Sequence, residues 1–384
     1  MKIAFFSNFL NHHQLPLCEA FLSAVGEENF RFVATMSITK ERLELGYLDM
    51  NEMYSFVVKE YLGGDEKIKA EKLALESDVM IFGAAPLYYQ DLRLNANKIV
   101  FHYNERFLKH GKWGIIVPKI ALRTYNTYIK NKDKKLYVLC AGAYVEHDLR
   151  FIGFETTRCY KWGYFPPLVQ YDIMNLFSAK KNNTMIWVGR LIDWKHPEYV
   201  IEAAKLLKVD GYSFEINIIG KGPLYDSLVN RVAHYRLNDF VHVLGVKSNE
   251  EVRHYMEESQ ILLFTSNRQE GWGAVLNEAM NSACVPVASH MIGATPYLIK
   301  DGYNGLVFKS GDIKSLYITI KKLLDNPEEV RKMSHHAYET IVKLWNADKA
   351  VQALLHLNET ITNNKDNDIV CGPGSNAGHY SECF

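Results

Sequence analysis

Short apolar runs alternate with helix-period segments along most of the chain, the pattern of parallel sheets whose strands are joined by crossover helices. In the first half the predicted strands are residues 3–7, 30–34, 79–82, 99–101 and 136–140. In the second half they are residues 185–188, 215–219, 242–244, 261–264, 285–288 and 305–308. Between the halves the chain carries Pro166 and Pro167 and then a polar run through Asn182 and Asn183, which reads as a linker. The pattern predicts an α/β protein of two Rossmann-like, doubly wound domains, 1–165 and 184–335, joined by a linker over 166–183. A helix over 336–360 follows, containing Trp345. The tail, 361–384, lacks periodicity and reads as disordered.

Composition bounds this picture without choosing a function. At 384 residues the chain is too long for one ordinary core, and 48% hydrophobic with 23% charged residues is a globular balance. Lys+Arg and Asp+Glu stand at 44 each, so no overall field points to nucleic acid. The six cysteines form no C-x-x-C pair and no metal-ligand spacing, which suits a reducing compartment. Met1 leads straight into the first strand, and no apolar run is long enough to span a bilayer. A cytoplasmic protein is expected, one that can touch a membrane from that side.

The most informative chemistry lies in the run from Ser266 to Ala279. A strand ends at a glycine-punctuated turn, Glu270-Gly271-Trp272-Gly273, and a helix begins near Ala274. Glu270 then lies in the loop at the mouth of the helix and Glu278 just over one turn inside it. The backbone N–H groups from Gly273 to Leu276 are expected to be unpaired, as at any helix start, and such groups suit a phosphate. Two acids flanking an anion site fit a ligand with hydroxyls at both ends and phosphate between them, such as a nucleotide-sugar. The plainer reading is a solvated helix face, since Glu is common near helix starts.

Two further strand-to-helix turns support the ligand reading. Val188-Gly189-Arg190 follows a strand, and Asp193-Trp194-Lys195-His196-Pro197 opens a helix whose Val200, Ile201, Ala204 and Leu207 share one face. Arg190 and Lys195 therefore sit on a loop at the carboxyl end of a strand, where open α/β sheets bind ligands. Taken alone, they read more readily as solvated loop cations. Gly220-Lys221-Gly222-Pro223 is a tight turn permitting close backbone approach, but Asp226 and Ser227 stand where a dinucleotide fingerprint needs its third glycine. Ser248 with Glu251 forms a capping box, a structural feature only.

In this order, these units resemble the C-terminal half of a GT-B glycosyltransferase of the retaining family 4 group. The resemblance covers about residues 185–326. It rests on Val188-Gly189-Arg190 with Lys195, Gly220-x-Gly222-Pro223, Glu270-Gly271-Trp272-Gly273, the E-x7-E pair completed by Glu278, and Asp301-Gly302-Tyr303-Asn304-Gly305. It implies two domains facing a cleft, with the helix over 336–360 able to cross back onto the N-terminal domain as in relatives. Arg190 and Lys195 would hold the donor diphosphate, Glu278 the ribose hydroxyls, and Glu270 the transferred sugar. Gly220, Gly222, Gly271, Trp272, Gly273 and Ala274 would line the donor site. The chain departs from the family at Ile292-Gly293-Ala294, where a double glycine is frequent.

The first half is the acceptor side by the same resemblance. Asn11-His12-His13-Gln14 follows the first strand where relatives often carry a glycine-rich loop. His12 and His13 can hydrogen-bond an acceptor hydroxyl or a donor phosphate, or simply cap and pack. The strand at 99–101 runs into His102-Tyr103-Asn104-Glu105-Arg106, where relatives often place a His and an acid near the transferred sugar. His102 and Glu105 are therefore candidate catalytic groups, with Asn104 on the acceptor side. Residues 106–135 carry nine Lys or Arg against one acid, Asp133, interleaved with Trp113, Ile115, Ile116, Val117 and Ile120. That suits docking on anionic lipid, although a solvated charged face is the commoner meaning of a charge run.

The implied reaction is transfer of a sugar from a UDP- or GDP-sugar to a hydroxyl of a glycan or lipid-linked saccharide, with retained configuration and no required metal. A sugar-nucleotide 2-epimerase or a non-catalytic nucleotide-sugar-binding protein are the alternatives.

Overall fold

The computed structural model describes residues 1–40, 43 and 48–384. The chain forms two compact units: Met1–Pro166 with Ala347–Tyr380, and Pro167–Asn346 with Ser381–Phe384.

The first unit is built on a seven-stranded parallel sheet: β1 (Ile3–Ser7), β2 (Phe30–Ala34), β3 (Val57–Lys59), β4 (Val79–Phe82), β5 (Val100–Glu105), β6 (Leu136–Ala141) and β7 (Cys159–Trp162). Their order is β3-β2-β1-β4-β5-β6-β7. β1 and β4 are buried along their whole length, because crossover helices cover both faces of a parallel sheet. Sequence reading missed β3 and β7, the two edge strands, which are short and carry Lys59 and Lys161 in otherwise apolar runs.

The second unit has a six-stranded parallel sheet: β8 (Lys181–Val188), β9 (Glu215–Ile219), β10 (Val241–Gly245), β11 (Ser259–Phe264), β12 (Val285–Ser289) and β13 (Leu306–Phe308). The order is β10-β9-β8-β11-β12-β13. On helix Glu198–Val209 the predicted face, Val200, Ile201, Ala204 and Leu207, is fully buried. Ser248 and Glu251 form the reciprocal capping box, with bonds of 3.2 and 2.8 Å.

Three expectations about boundaries need correction. The segment 166–183 is not a plain linker: helix Ile173–Ala179, capped by Asp172, lies within it, and β8 already starts at Lys181. Lys180 between them is half-buried, its ammonium donating to the carbonyls of Met256, Ser259 and Ser282 at 2.9, 2.6 and 2.5 Å. The predicted helix over 336–360 is two helices, Pro327–Lys343 and Ala347–Thr362, interrupted around buried Trp345. The second of them belongs to the first unit, where it packs on helix Leu15–Val25.

The tail is ordered rather than disordered. Gly374 N–H donates to Lys161 O, Lys161 N–H to Ser375 O and Ala377 N–H to Cys159 O, at 2.8, 2.7 and 2.8 Å. The tail thereby adds an antiparallel bridge, Tyr160 to Asn376, along the exposed edge of β7. A polar, glycine-rich tail lacks strand periodicity, but an unpaired sheet edge supplies the partners that its own sequence does not advertise.

Candidate active site

In the second unit the direction of strand addition reverses between β8 and β11. Loops leaving the carboxyl ends of such a pair diverge and form the crevice in which open α/β sheets bind ligands. Here those loops are residues 189–195 and 265–274, and hydrogen bonds join them. Asn267 N–H donates to Trp194 O at 2.9 Å. Thr265 Oγ1 donates to Lys195 O at 2.7 Å and accepts from the buried Trp187 indole at 2.9 Å. His196 takes left-handed φ of 50°, which ends the turn carrying Lys195. Its ring lies 2.9 Å from Glu198 Oε1 and 3.2 Å from Asn267 Nδ2.

Lys195 Nζ meets Glu270 Oε2 at 2.6 Å, and each side chain is only 12% exposed. Ser266 Oγ donates to the same oxygen at 3.0 Å. The Lys195 ammonium and the Arg190 guanidinium lie 4.9 and 5.9 Å from the centroid of the Trp194 ring. Trp194 thus gathers both cations, while Arg190 itself remains exposed. Sequence reading singled out Arg190, Lys195 and Glu270, and the structure brings these three together. It did not single out Trp194, Thr265 or Ser266, whose parts depend on which loops meet.

The glycines have a steric explanation. A Cβ on Gly220 would stand 1.8 Å from Gly189 O, and one on Gly222 would stand 2.3 Å from Leu191 O. Gly220 and Gly222 therefore let one loop lie directly against the Arg190 loop. Gly273, at φ 95°, would place a Cβ 2.4 Å from the Phe264 ring. Gly271 is buried, and Ala274 is half-buried at the start of the helix. The departure at Ile292-Gly293-Ala294 also has a role here. Gly293 N–H donates to Glu270 O at 3.2 Å, and Ala294 N–H to Trp272 O at 3.3 Å.

Two readings of this loop change. The Trp272 side chain is fully buried among Tyr297 and Trp345, its indole donating to Asn277 Oδ1. The whole residue is closed to solvent, so it supports the loop from the core and does not line the site. The Leu276 N–H is not unpaired, since the tight turn at Gly273 lets it donate to Gly273 O at 3.0 Å. Glu278 stands in the first turn of helix Val275–Asn281, and burial pushes its carboxyl above the usual range, with Arg253 opposing the shift. No hydrogen bond to that carboxylate is made by the described residues. Arg253 instead donates to Glu278 O, Asn281 Oδ1 and Ser282 Oγ. Arg268, two residues before Glu270, pairs with Glu382 of the tail at 2.9 Å, a contact that sequence spacing could not suggest.

The first unit has its own reversal, between β1 and β4. A cavity of about 310 Å³ there is lined by Ser7, Asn8, His13, Asn104, Glu105 and Tyr164, among others. His13 stacks on Tyr164, and burial, with His12 beside it, lowers its pKa to about 4. His12 is exposed. Asn104 Nδ2 donates to Tyr128 Oη at 2.8 Å.

The two candidate catalytic groups of this unit are both engaged. Glu105 accepts from Tyr164 Oη at 2.6 Å and pairs with Lys109 at 2.7 Å. His102 is buried, and desolvation, with Arg123 nearby, pushes it down to about 3, so it is neutral at physiological pH. Its Nδ1 lies 2.6 Å from Gln90 Oε1, while Gln90 Nε2 donates to Thr127 O. With the amide so oriented, Nδ1 carries the hydrogen and Nε2 is left as an acceptor. Tyr164 and Gln90 were missed because nothing in their local sequence marks them.

Two parallel-sheet, Rossmann-like units with ligand loops at each reversal define an α/β architecture of the GT-B kind. HepE of Anabaena, solved with UDP, superposes with a TM-score of 0.66 at 15% identity over 94% of this chain and 100% of that one. The family model for glycosyl transferases group 1 matches residues 172–340. An uncharacterized glycosyltransferase of Methanocaldococcus jannaschii is 30% identical over 258 residues, 66% of this chain and 67% of that protein. The amylovoran biosynthesis glycosyltransferase AmsK of Erwinia amylovora is 33% identical over 148 residues, 37% of this chain and 36% of that protein. The chain belongs to the glycosyl transferases group 1 family.

Proposed function

We propose that this protein is a retaining hexosyltransferase of the family 4 kind, moving a sugar from a nucleoside diphosphate sugar to a hydroxyl of a saccharide, free or lipid-linked. The observation that carries this reading is the Lys195–Glu270 pair beside Arg190 at the reversal of the second sheet. Cleavage of the bond between the anomeric carbon and the phosphate oxygen develops negative charge on the departing diphosphate. The Arg190 fork and the Lys195 ammonium offset that charge. An arriving diphosphate competes with Glu270 for Lys195, which frees the carboxylate to accept from hydroxyls of the transferred sugar. Glu278, with no hydrogen bond from the described residues, accepts from the ribose. UDP in the HepE structure supports a uridine donor, and a guanosine donor fits the same contacts.

On the acceptor side, His13 and Asn104 hold hydroxyls. His102 is too weak a base to take the acceptor proton, and the leaving phosphate takes it instead. Two cations supply the countercharge, so chelators leave the activity intact. Thermal-shift screening against UDP-, GDP- and ADP-sugars tests the donor, since a ligand of the native state raises apparent stability. NMR of the product tests the stereochemistry: an α-linked product from an α-donor is expected, and a β-linkage refutes retention. Donor epimerised without acceptor would refute the transferase reading.

A cytoplasmic-face membrane location is part of this reading. Trp113, Ile116 and Leu122 are 82%, 66% and 63% exposed within the basic segment 106–135. Apolar side chains beside cations suit the boundary of an anionic bilayer. Salt-sensitive co-sedimentation with anionic vesicles is expected, and its absence sinks the membrane assignment.

A further inference from the structure

A second cavity of the first unit, about 410 Å³, opens against helix Pro118–Thr127. Its size is that of a small-ligand site. Lys119 and Arg123 stand on its wall one helical turn apart, with Thr124 and Thr127 from the same helix. The helix carries no acid at all. Two like charges at this spacing repel each other and destabilise an isolated helix, so the pairing has a cost that its own helix does not offset.

The cations nearby are treated differently. Arg106 is paired with Asp148, Lys109 with Glu105, and Lys130 with Asp91. Neither Lys119 nor Arg123 has an ion pair among the described residues. The one carboxylate in the wall, Glu105, is already taken by Lys109 and the Tyr164 hydroxyl. Of the other cations in the wall, Arg106 and Lys109 are already paired, and burial keeps His102 uncharged. The cavity therefore carries about two unmatched positive charges. It also shares Asn104, Glu105 and Arg123 with the 310 Å³ cavity at the reversal of the same sheet.

We propose that this cavity binds a phosphate or diphosphate group carried by the acceptor, so that the protein takes an anionic acceptor rather than a neutral glycan. The inference rests on the transferase reading above and names the acceptor class for it. A guanidinium fork and an ammonium on one helix face match the oxygens of a diphosphate, and the threonine hydroxyls supply neutral donors. Ile120 and Phe107 leave part of the wall apolar.

The test is calorimetric titration of the full chain, presaturated with UDP, using inorganic pyrophosphate, a hexose 1-phosphate, geranyl diphosphate and a neutral hexose. The UDP-loaded protein is expected to bind pyrophosphate. The double variant Lys119→Gln/Arg123→Gln should lose about tenfold or more of that affinity. Lys119→Arg/Arg123→Lys should retain it, and UDP affinity should not move in either variant. Tightest binding of geranyl diphosphate assigns a lipid-linked source, and tightest binding of the hexose phosphate assigns a free sugar phosphate. No pyrophosphate binding beside UDP, or equal affinity in wild type and the Gln variant, overturns the proposal. Failure of UDP itself to bind would remove the donor reading. The difference between wild type and the Gln variant toward pyrophosphate would still decide the cavity.

Discussion

Glu270→Gln should tighten the grip on nucleotide while impairing transfer. The carboxylate and Lys195 Nζ are 2.6 Å apart, and both side chains are largely buried. At an effective dielectric of about 20 their gross attraction is about 6 kcal/mol. Desolvation of two charges and ordering of a long side chain offset most of it, leaving about 1 to 2 kcal/mol. On the proposed donor reading, a diphosphate must displace that interaction to recruit Lys195. Gln keeps the shape and the Ser266 contact but not the charge, so UDP affinity should rise by about five- to thirtyfold. Lys195→Met should do the reverse, losing a charge-assisted bond of about 1.5 to 3 kcal/mol and weakening UDP by about ten- to a hundredfold. Calorimetric titration of UDP into both variants at matched salt reads the two signs, and initial transfer rates should fall in both. If Glu270→Gln weakened UDP as much as Lys195→Met, the carboxylate would be holding the nucleotide rather than competing with it, and the argument would fail.

Three other outcomes are expected. Gly220→Ala and Gly222→Ala should each destabilise the fold by about 1 to 3 kcal/mol, because a Cβ would meet a main-chain carbonyl; denaturant midpoints within error of wild type would refute the steric account. Glu278 has a raised pKa in the fold, so its charged form opposes folding at neutral pH and that penalty is relieved as pH falls toward the ordinary value of 4.5. Glu278→Gln should thus match or exceed wild-type stability at pH 7, with the difference vanishing near pH 4, while UDP affinity drops about tenfold; a destabilised variant at pH 7 would contradict this. Removing residues 374–384 deletes three main-chain bonds to β7 and should lower stability by about 1.5 to 4.5 kcal/mol and promote association through the bared edge; an unchanged melting curve and a monodisperse monomer would refute it.

The interior strands were legible because a parallel strand buried on both faces is an uninterrupted apolar run, as in Phe5-Phe6 or Ile261 to Phe264. β3 and β7 escaped because an edge strand tolerates Lys59 and Lys161, and the tail escaped because its partner lies some 210 residues earlier in the chain, at Cys159 to Lys161. In the second unit, local spacing marked Arg190, Lys195 and Glu270, since each lies within a strand-to-helix turn. Periodicity says nothing about which turns meet, so Thr265, Trp194 and the tail residue Glu382 were invisible. Trp272 shows the opposite failure. It sits inside a motif yet serves the core, because a bulky indole between two glycines can be turned inward while the backbone keeps the loop.

Lys180 gives the site a dependence on a residue far from its chemistry. Its ammonium reaches Ser282 O, at the far end of the helix that begins beside Glu270 and holds Glu278, and it reaches Met256 O near the end of the helix that supplies Arg253. One cation therefore anchors the tails of both helices, where the negative ends of their dipoles lie. Neutral replacement of that lysine would leave the Arg253 bonds to Glu278 O, Asn281 and Ser282 to carry the tie between the two helices, and, on the proposed ribose role of Glu278, nucleotide selectivity would blur with no contact residue altered.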